Sequence, residues 1–249
     1  GKEYAESYNY LLLSPGAYPF VPPIEGKGAA MFMSFRDIPD MDAMIARIEN
    51  HSVKEAVVIG GGFIGVEIAE NLVARGIKTH LVEMLGQVMT PFDPEMAGII
   101  QTGLTGGGVC LHLSDSVKRI VGDARGKVIL NSGTELTAEL VVSVVGVRPD
   151  IKLAREAGLK IGATGGIAVD AGMRTSDPYI FAVGDAVETT HLVAGTPVLV
   201  PLAGPANKQA RVAADNICGL SSSYPGSLGT AIVKVFDLQA AATGLNEKT

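Results

Sequence analysis

The run Gly60-Gly61-Gly62-Phe63-Ile64-Gly65, followed by Glu83 at the end of THLVE, has residue types and spacing that could do chemistry. The glycines follow the apolar run AVVI and open the stretch IGVEIAENLVA, which gives strand, turn and helix in that order. Gly60 permits a tight turn, Gly62 lets a pyrophosphate approach the backbone, and Gly65 lets the helix pack close to the strand. Phe63 and Ile64 fall in the first helical turn, where free N–H groups and the positive end of the helix dipole can hold phosphate. A carboxylate at Glu83 can accept both ribose hydroxyls of an adenosine and would repel a 2′-phosphate. Met84 and Leu85, next in the chain, supply no Arg for such a phosphate. The pattern therefore favours NAD over NADP. A glycine turn that merely packs a helix on a sheet is the alternative, and the acid in its ordered place argues against it. Glu67 and Glu70 read as a solvated helix face, with a contact from Glu67 to the nicotinamide end left open.

The elements that must position these residues are an alternation of strands and helices. A strand is expected at Tyr10 to Leu13, a helix from Met41 to Glu49 with Asp40 as its N-cap, and a buried parallel strand at Ala56 to Ile59. The glycine helix runs from Gly62 to Arg75, with Ile64, Ile68 and Leu72 on one face and Gly76 ending it. After the strand Thr79 to Val82, Asp93 caps a helix whose first position is Pro94. VCLHL, SVKRI and KVILNSGTEL read as strands and a hairpin, and LVVSVVG as a buried strand. A helix begins near Ala206 and ends at Cys218. The fold class is α/β: a Rossmann-like, doubly wound domain with a parallel sheet plus a β-meander. The LTGGGV run at Leu104 to Val109 predicts a frayed or shortened helix.

Bulk properties bound the partners. The 249-residue chain is 47% hydrophobic, enough for large cores, and its net charge of -6 provides no basic field for nucleic acid. The apolar runs are too short to span a bilayer, so no membrane partner is expected. The start GKEYAESYNY has neither an initiator Met nor a signal-peptide pattern and reads as an internal cut in a longer, cytoplasmic protein. Cys110 and Cys218, the two cysteines, lie apart with no CxxC or Cys/His cluster. They read as buried or half-buried thiols, and no metal site is expected.

The motifs LLLSPGAYP, GGGFIGVEIAENL, GVRPD, IFAVGDA, PLAGPANKQARVAADNICG and GTAIVKVFD occur in this order along nearly the whole chain. In them the sequence resembles the pyridine nucleotide-disulfide oxidoreductases, FAD enzymes that pass electrons from NAD(P)H to a disulfide, peroxide or oxygen. The stretch from Gly184 to Asn216 is most similar to the coenzyme A-disulfide reductases, including rhodanese-fused persulfide reductases. The resemblance implies an NAD domain inserted into a split FAD domain. Residues 1–30 would end the first FAD segment, 31–155 form the NAD-binding domain, 156–224 form the second FAD segment, and 225–249 begin a C-terminal dimerisation domain. It also implies that Asp185 accepts hydrogen bonds from the flavin ribityl chain, that Gly184 lets the backbone near the flavin phosphates, and that Leu202 and Ala203 lie near the isoalloxazine ring. Gly16 and Ala17 correspond to a flavin-contacting turn, although Ser14 and Pro15 depart from its usual pattern. Gly146 would line the nicotinamide pocket, and Arg148 reads as a surface or interdomain residue.

What the resemblance implies for the whole protein is a homodimeric, FAD-dependent NADH:disulfide reductase acting on a coenzyme A-type disulfide or a persulfide. Its redox cysteine and first flavin glycine turn would lie outside this chain, leaving the FAD site incomplete. No catalytic residue is expected among residues 1–249. The strand-like runs near Ala231 to Phe236 are expected to lack pairing partners. Two other readings remain at this stage: an NADH oxidase or peroxidase on the same scaffold, and a non-catalytic NAD-binding module.

Overall fold

A computed structural model describes residues 3–248. The chain runs β1 (Leu11–Leu13), β2 (Ala17–Pro19), β3 (Phe32–Ser34), α1 (Ile38–His51), β4 (Glu55–Ile59), α2 (Phe63–Ala74), β5 (Lys78–Glu83) and α3 (Pro94–Gly106). There follow β6 (Cys110–Leu113), β7 (Val117–Gly122), β8 (Gly126–Leu130), β9 (Glu135–Ala138), β10 (Leu140–Ser143), β11 (Val147–Pro149) and α4 (Lys152–Glu156). The remainder is β12 (Ile167–Ala168), β13 (Ile180–Ala182), a 3-10 turn (Gly184–Ala186), β14 (Val187–Thr190), β15 (Pro197–Val198), α5 (Ala203–Ile217), β16 (Ala231–Val235) and β17 (Leu238–Ala242). Two compact units result. The larger comprises Pro19–Val147, Ala231–Ala242 and the described residues from Asn246 on; the smaller comprises the described residues up to Tyr18, Arg148–Thr230 and Thr243–Leu245.

The larger unit is built on a parallel sheet of order β3-β10-β4-β5-β6. Its central strand, EAVVI, is apolar on both faces because both faces are covered. Ala56 and Val58 join the core formed with Val66, Ala69 and Leu72 of α2. Val57 and Ile59 join a second core beneath the antiparallel meander β7-β8-β9, with Ile120, Val128, Leu130 and Leu136. Helix α1 is longer than the sequence indicates. Asp37, rather than Asp40, is its N-cap and accepts from the Asp40 N–H, while the Asp40 carboxylate returns to the Asp37 N–H in a capping box. On α1, Arg47 donates to the carbonyls of Glu139, Ala30 and Ala124 at 2.7 to 2.8 Å, which ties the helix to the sheet and meander connections.

One expectation fails in this unit: the strand-like runs after Ala231 are paired as the hairpin β16-β17. Helix α3 ends at Gly106, inside the LTGGGV run. Val233 and Val235 are buried in the α2–α3 core. Gly107 makes room for the Phe236 ring, which a Cβ there would overlap, and a Cβ on Gly103 would stand 2.6 Å from Leu238 Cδ1. The glycines are thus the seat of the hairpin. The cysteine reading also needs correction, since both Cys110 and Cys218 are exposed free thiols.

In the smaller unit β1 pairs in parallel with β13, and β12-β14-β15 form a three-stranded sheet. Phe181, Val183, Val212 and Ala213 make a core between β13 and α5, and Ile167, Ile180, Ala182 and Val187 make another. Strands β2 and β11 form a separate pair. Among the described residues no helix is long and apolar enough to cross a membrane, and no group of three or more His, Cys, Asp or Glu could hold a metal ion.

Candidate functional site

The larger unit brings Gly60, Gly62, Gly65 and Glu83 together at the carboxyl ends of β4 and β5. Gly60 has φ +108°, and a Cβ on it would lie 2.7 Å from the Val144 carbonyl oxygen, so both conformation and space demand glycine. A Cβ on Gly65 would overlap the Gly60 carbonyl oxygen, which is the close helix–strand packing inferred from the sequence. A Cβ on Gly62 would meet nothing within 4 Å, so this side of the turn is open. Gly62 is the N-cap of α2, and no side chain caps it. The first-turn N–H groups, those of Phe63 and Ile64 among them, are therefore available to an anion. Ile64 does not share the buried face of Ile68 and Leu72; it is 41% exposed beside this open end.

Glu83 is fixed at both carboxylate oxygens. Oε2 accepts from the Gly61 N–H at 2.7 Å and Oε1 from the Leu85 N–H at 2.9 Å. Each oxygen retains a lone pair, so a vicinal diol can still be bound by a carboxylate already aimed across the turn. Sequence reasoning missed Gly61, the donor in this contact, because the fingerprint treats its position as variable. The loop after β5 closes the arrangement, with the Met89 N–H donating to the Gly61 carbonyl at 2.8 Å. Gly146 is exposed in the same unit, and its carbonyl accepts from the Phe20 N–H at 2.9 Å. Glu67 and Arg148 are both exposed.

The smaller unit holds the other candidate residues. Gly184 has φ +82° and begins the 3-10 turn that carries Asp185. The Gly184 N–H donates to Oε1 of Gln209 at 2.8 Å. Gln209, 2% exposed on α5, was not singled out from sequence. Its signal was a polar side chain at helical spacing from the buried Val212 and Ala213. Leu202 is the N-cap of α5 and Ala203 its first residue, again with no side-chain cap. Ala17 is buried, and the Gly16 carbonyl accepts from the Asp150 N–H at 2.9 Å. A left-handed glycine, an acid on the following turn and an uncapped helix start packed beside it form a cradle that suits one side of a phosphate- and hydroxyl-bearing cofactor.

The motifs and the geometry agree with the comparisons, for the family described as pyridine nucleotide-disulphide oxidoreductase matches residues 1–210. The chain belongs to that family. It is 39% identical over 246 residues to an NADH oxidase of Methanocaldococcus jannaschii, covering 98% of this chain and 55% of the relative. It is 37% identical over 248 residues to an NAD(P)H coenzyme A polysulfide/persulfide reductase of Pyrococcus horikoshii, covering 99% of this chain and 56% of the relative. The crystal structure of reduced Bacillus anthracis CoADR-RHD superposes with a TM-score of 0.95 at 46% identity, covering 98% of this chain and 44% of that one. The chain thus spans about half the length of the curated relatives it matches.

Proposed function

We propose that the larger unit binds NADH at Gly60, Gly62, Phe63, Ile64, Gly65, Glu83 and Gly146, and that the chain serves a flavin-dependent reductase of coenzyme A-type disulfides or persulfides. The observation that carries the nucleotide reading is the Glu83 carboxylate, held by Gly61 at the open, uncapped start of α2. In this reading Gly16, Ala17, Gly184, Asp185, Leu202 and Ala203 give one side of an FAD site. Bound FAD would supply a two-electron acceptor between nicotinamide and sulfur. This chain's own part is to bind and orient: helix starts for phosphates, and carboxylates for sugar hydroxyls. The whole protein is read as a cytoplasmic homodimer, and the free thiols accord with a reducing compartment. The domain boundaries at residues 30, 155 and 224 belong to the same proposal.

The substrate class is supported by the Pyrococcus horikoshii relative and by the resemblance from Gly184 to Asn216. An NADH oxidase is the second reading, favoured by the name of the Methanocaldococcus jannaschii relative. Oxygen consumption against coenzyme A disulfide reduction by the whole protein separates the two. For the site itself, titration of the 249-residue chain should show measurable NADH binding and weaker NADPH binding. Glu83→Ala should weaken NADH by about tenfold, the worth of a charge-assisted hydrogen bond, and erode the preference. Superimposable NADH and NADPH curves for the unmutated chain would remove the reading.

A further inference from the structure

The loop between β5 and α3 is held from far along the chain. Three consecutive residues, Asn246 to Lys248, dock on it. Asn246 Nδ2 donates to the Pro91 carbonyl at 3.0 Å, and the Glu247 N–H donates to Asp93 Oδ1 at 3.1 Å. The Lys248 ammonium donates to the Phe92 carbonyl at 2.6 Å, to Gln87 Oε1 at 3.1 Å and to the Thr90 carbonyl at 3.3 Å. An ammonium has three protons, and here all three meet oxygens of one short loop. Asp93 does not cap α3 with its own side chain; its carboxylate takes the Glu247 N–H instead.

The loop needs such support. Met89 is a non-glycine residue at φ +52°, a conformation that costs energy and persists where its surroundings fix it. Val88 and Met89 are buried, and the Phe92 N–H donates to the Met89 carbonyl at 2.9 Å. Met89 then donates to Gly61, and Gly61 to Glu83. A continuous set of contacts therefore joins Lys248 to the carboxylate that is read as the ribose acceptor. Hydrogen bonds to a charged group are the stronger kind, so Lys248 is the principal tie in it.

We propose that Lys248 is a positioning residue for the nucleotide site, acting through residues 87–92 on Gly61 and Glu83. The proposal rests on the nucleotide reading for its effect on NADH, while its effect on the loop stands independently. The test uses the full 249-residue chain and the variants Lys248→Met and Lys248→Arg, with nicotinamide fluorescence for affinity and amide hydrogen exchange for local order. Lys248→Met should weaken NADH by about three- to tenfold. It should also speed exchange at the Met89 amide while the core amides of Val57 and Val58 keep their protection. Lys248→Arg, which restores donors and charge, should recover most of both losses. Unchanged exchange at Met89 in Lys248→Met overturns the clamp, whether or not NADH binds. Lost protection at Met89 with undiminished NADH affinity overturns the link from clamp to site. If the unmutated chain binds no NADH, the nucleotide reading falls, and the clamp is then decided by exchange at Met89.

Discussion

At the scale of single residues, the contact that most rewards attention outside the nucleotide site is a histidine pair. His80 on β5 and His112 on β6 lie with Nδ1 and Nε2 3.0 Å apart, so one ring donates and the other, which must be neutral to do so, accepts. Burial lowers the His80 pKa from its ordinary 6.5, His112 and Lys78 lower it further, and Glu55 opposes them. Burial lowers the His112 pKa as well, against the opposing charge of Asp115. The sign follows from linkage. As pH falls through 6.5, the unfolded chain takes up protons that the folded pair refuses, so stability is lost. The shifted carboxylates act lower: for Asp115 and Glu139 burial works to raise the pKa, but hydrogen bonds to Ser132 and Ser116, and to Glu55 and Lys54, outweigh it. Their contribution is lost as pH falls through the usual carboxylate range and below it. The unfolding midpoint should therefore fall between pH 7 and pH 5, and fall less in His112→Gln, which leaves His80 a partner. Equal slopes in the two proteins, or a midpoint that rises on acidification, would contradict the pair. Neither histidine could be linked to the other from sequence, because their meeting depends on the register of β5 with β6.

At the scale of elements, the glycine turn with its flanking strand and helix was legible because every determinant is local. Gly60, Gly62 and Gly65 lie within one turn, and Glu83 ends the next strand. The hairpin β16-β17 was not legible, because what it needs lies on α3, more than a hundred residues earlier. The sequence shows Gly103 and Gly107 on one side and apolar residues in AIVKVFDLQ on the other, and only the packing makes one the seat of the other. Phe236 even takes φ +52° at the two-residue turn, a conformation that its contact with Gly107 helps to fix. The hairpin is therefore part of the larger unit's core, not an unpaired edge. Val235→Ala should destabilise the larger unit by about 2 kcal/mol, since Val235 is fully buried there, whereas truncating the exposed Ile232 should be nearly neutral. Chemical denaturation measures both. Equal effects of the two changes would mean that the hairpin does not dock in solution.

At the scale of the whole molecule, the question is which thiol could serve the chemistry, and the two in this chain are placed against it. In the larger unit the candidate nucleotide residues sit at the carboxyl ends of parallel strands, where such sheets bind ligands. Cys110 sits at the opposite end of its strand: it pairs with His80, while Leu113 pairs with Glu83. Three residues of strand separate the two rungs, about 10 Å. In the smaller unit, Leu202 and Ala203 open α5 and Cys218 closes it. Fifteen residues of helix put about 22 Å between those ends. A thiolate that accepts electrons from a flavin must stand beside it, and neither cysteine stands beside the candidate residues of its own unit. Cys110→Ser and Cys218→Ser should accordingly leave NADH affinity unchanged, and the 249-residue chain with added FAD should not turn over NADH with coenzyme A disulfide. In the whole protein both substitutions should likewise spare kcat. A loss of turnover of a hundredfold or more in either variant, with NADH affinity intact, would move the active thiol into this chain and overturn the assignment of its residues to binding alone.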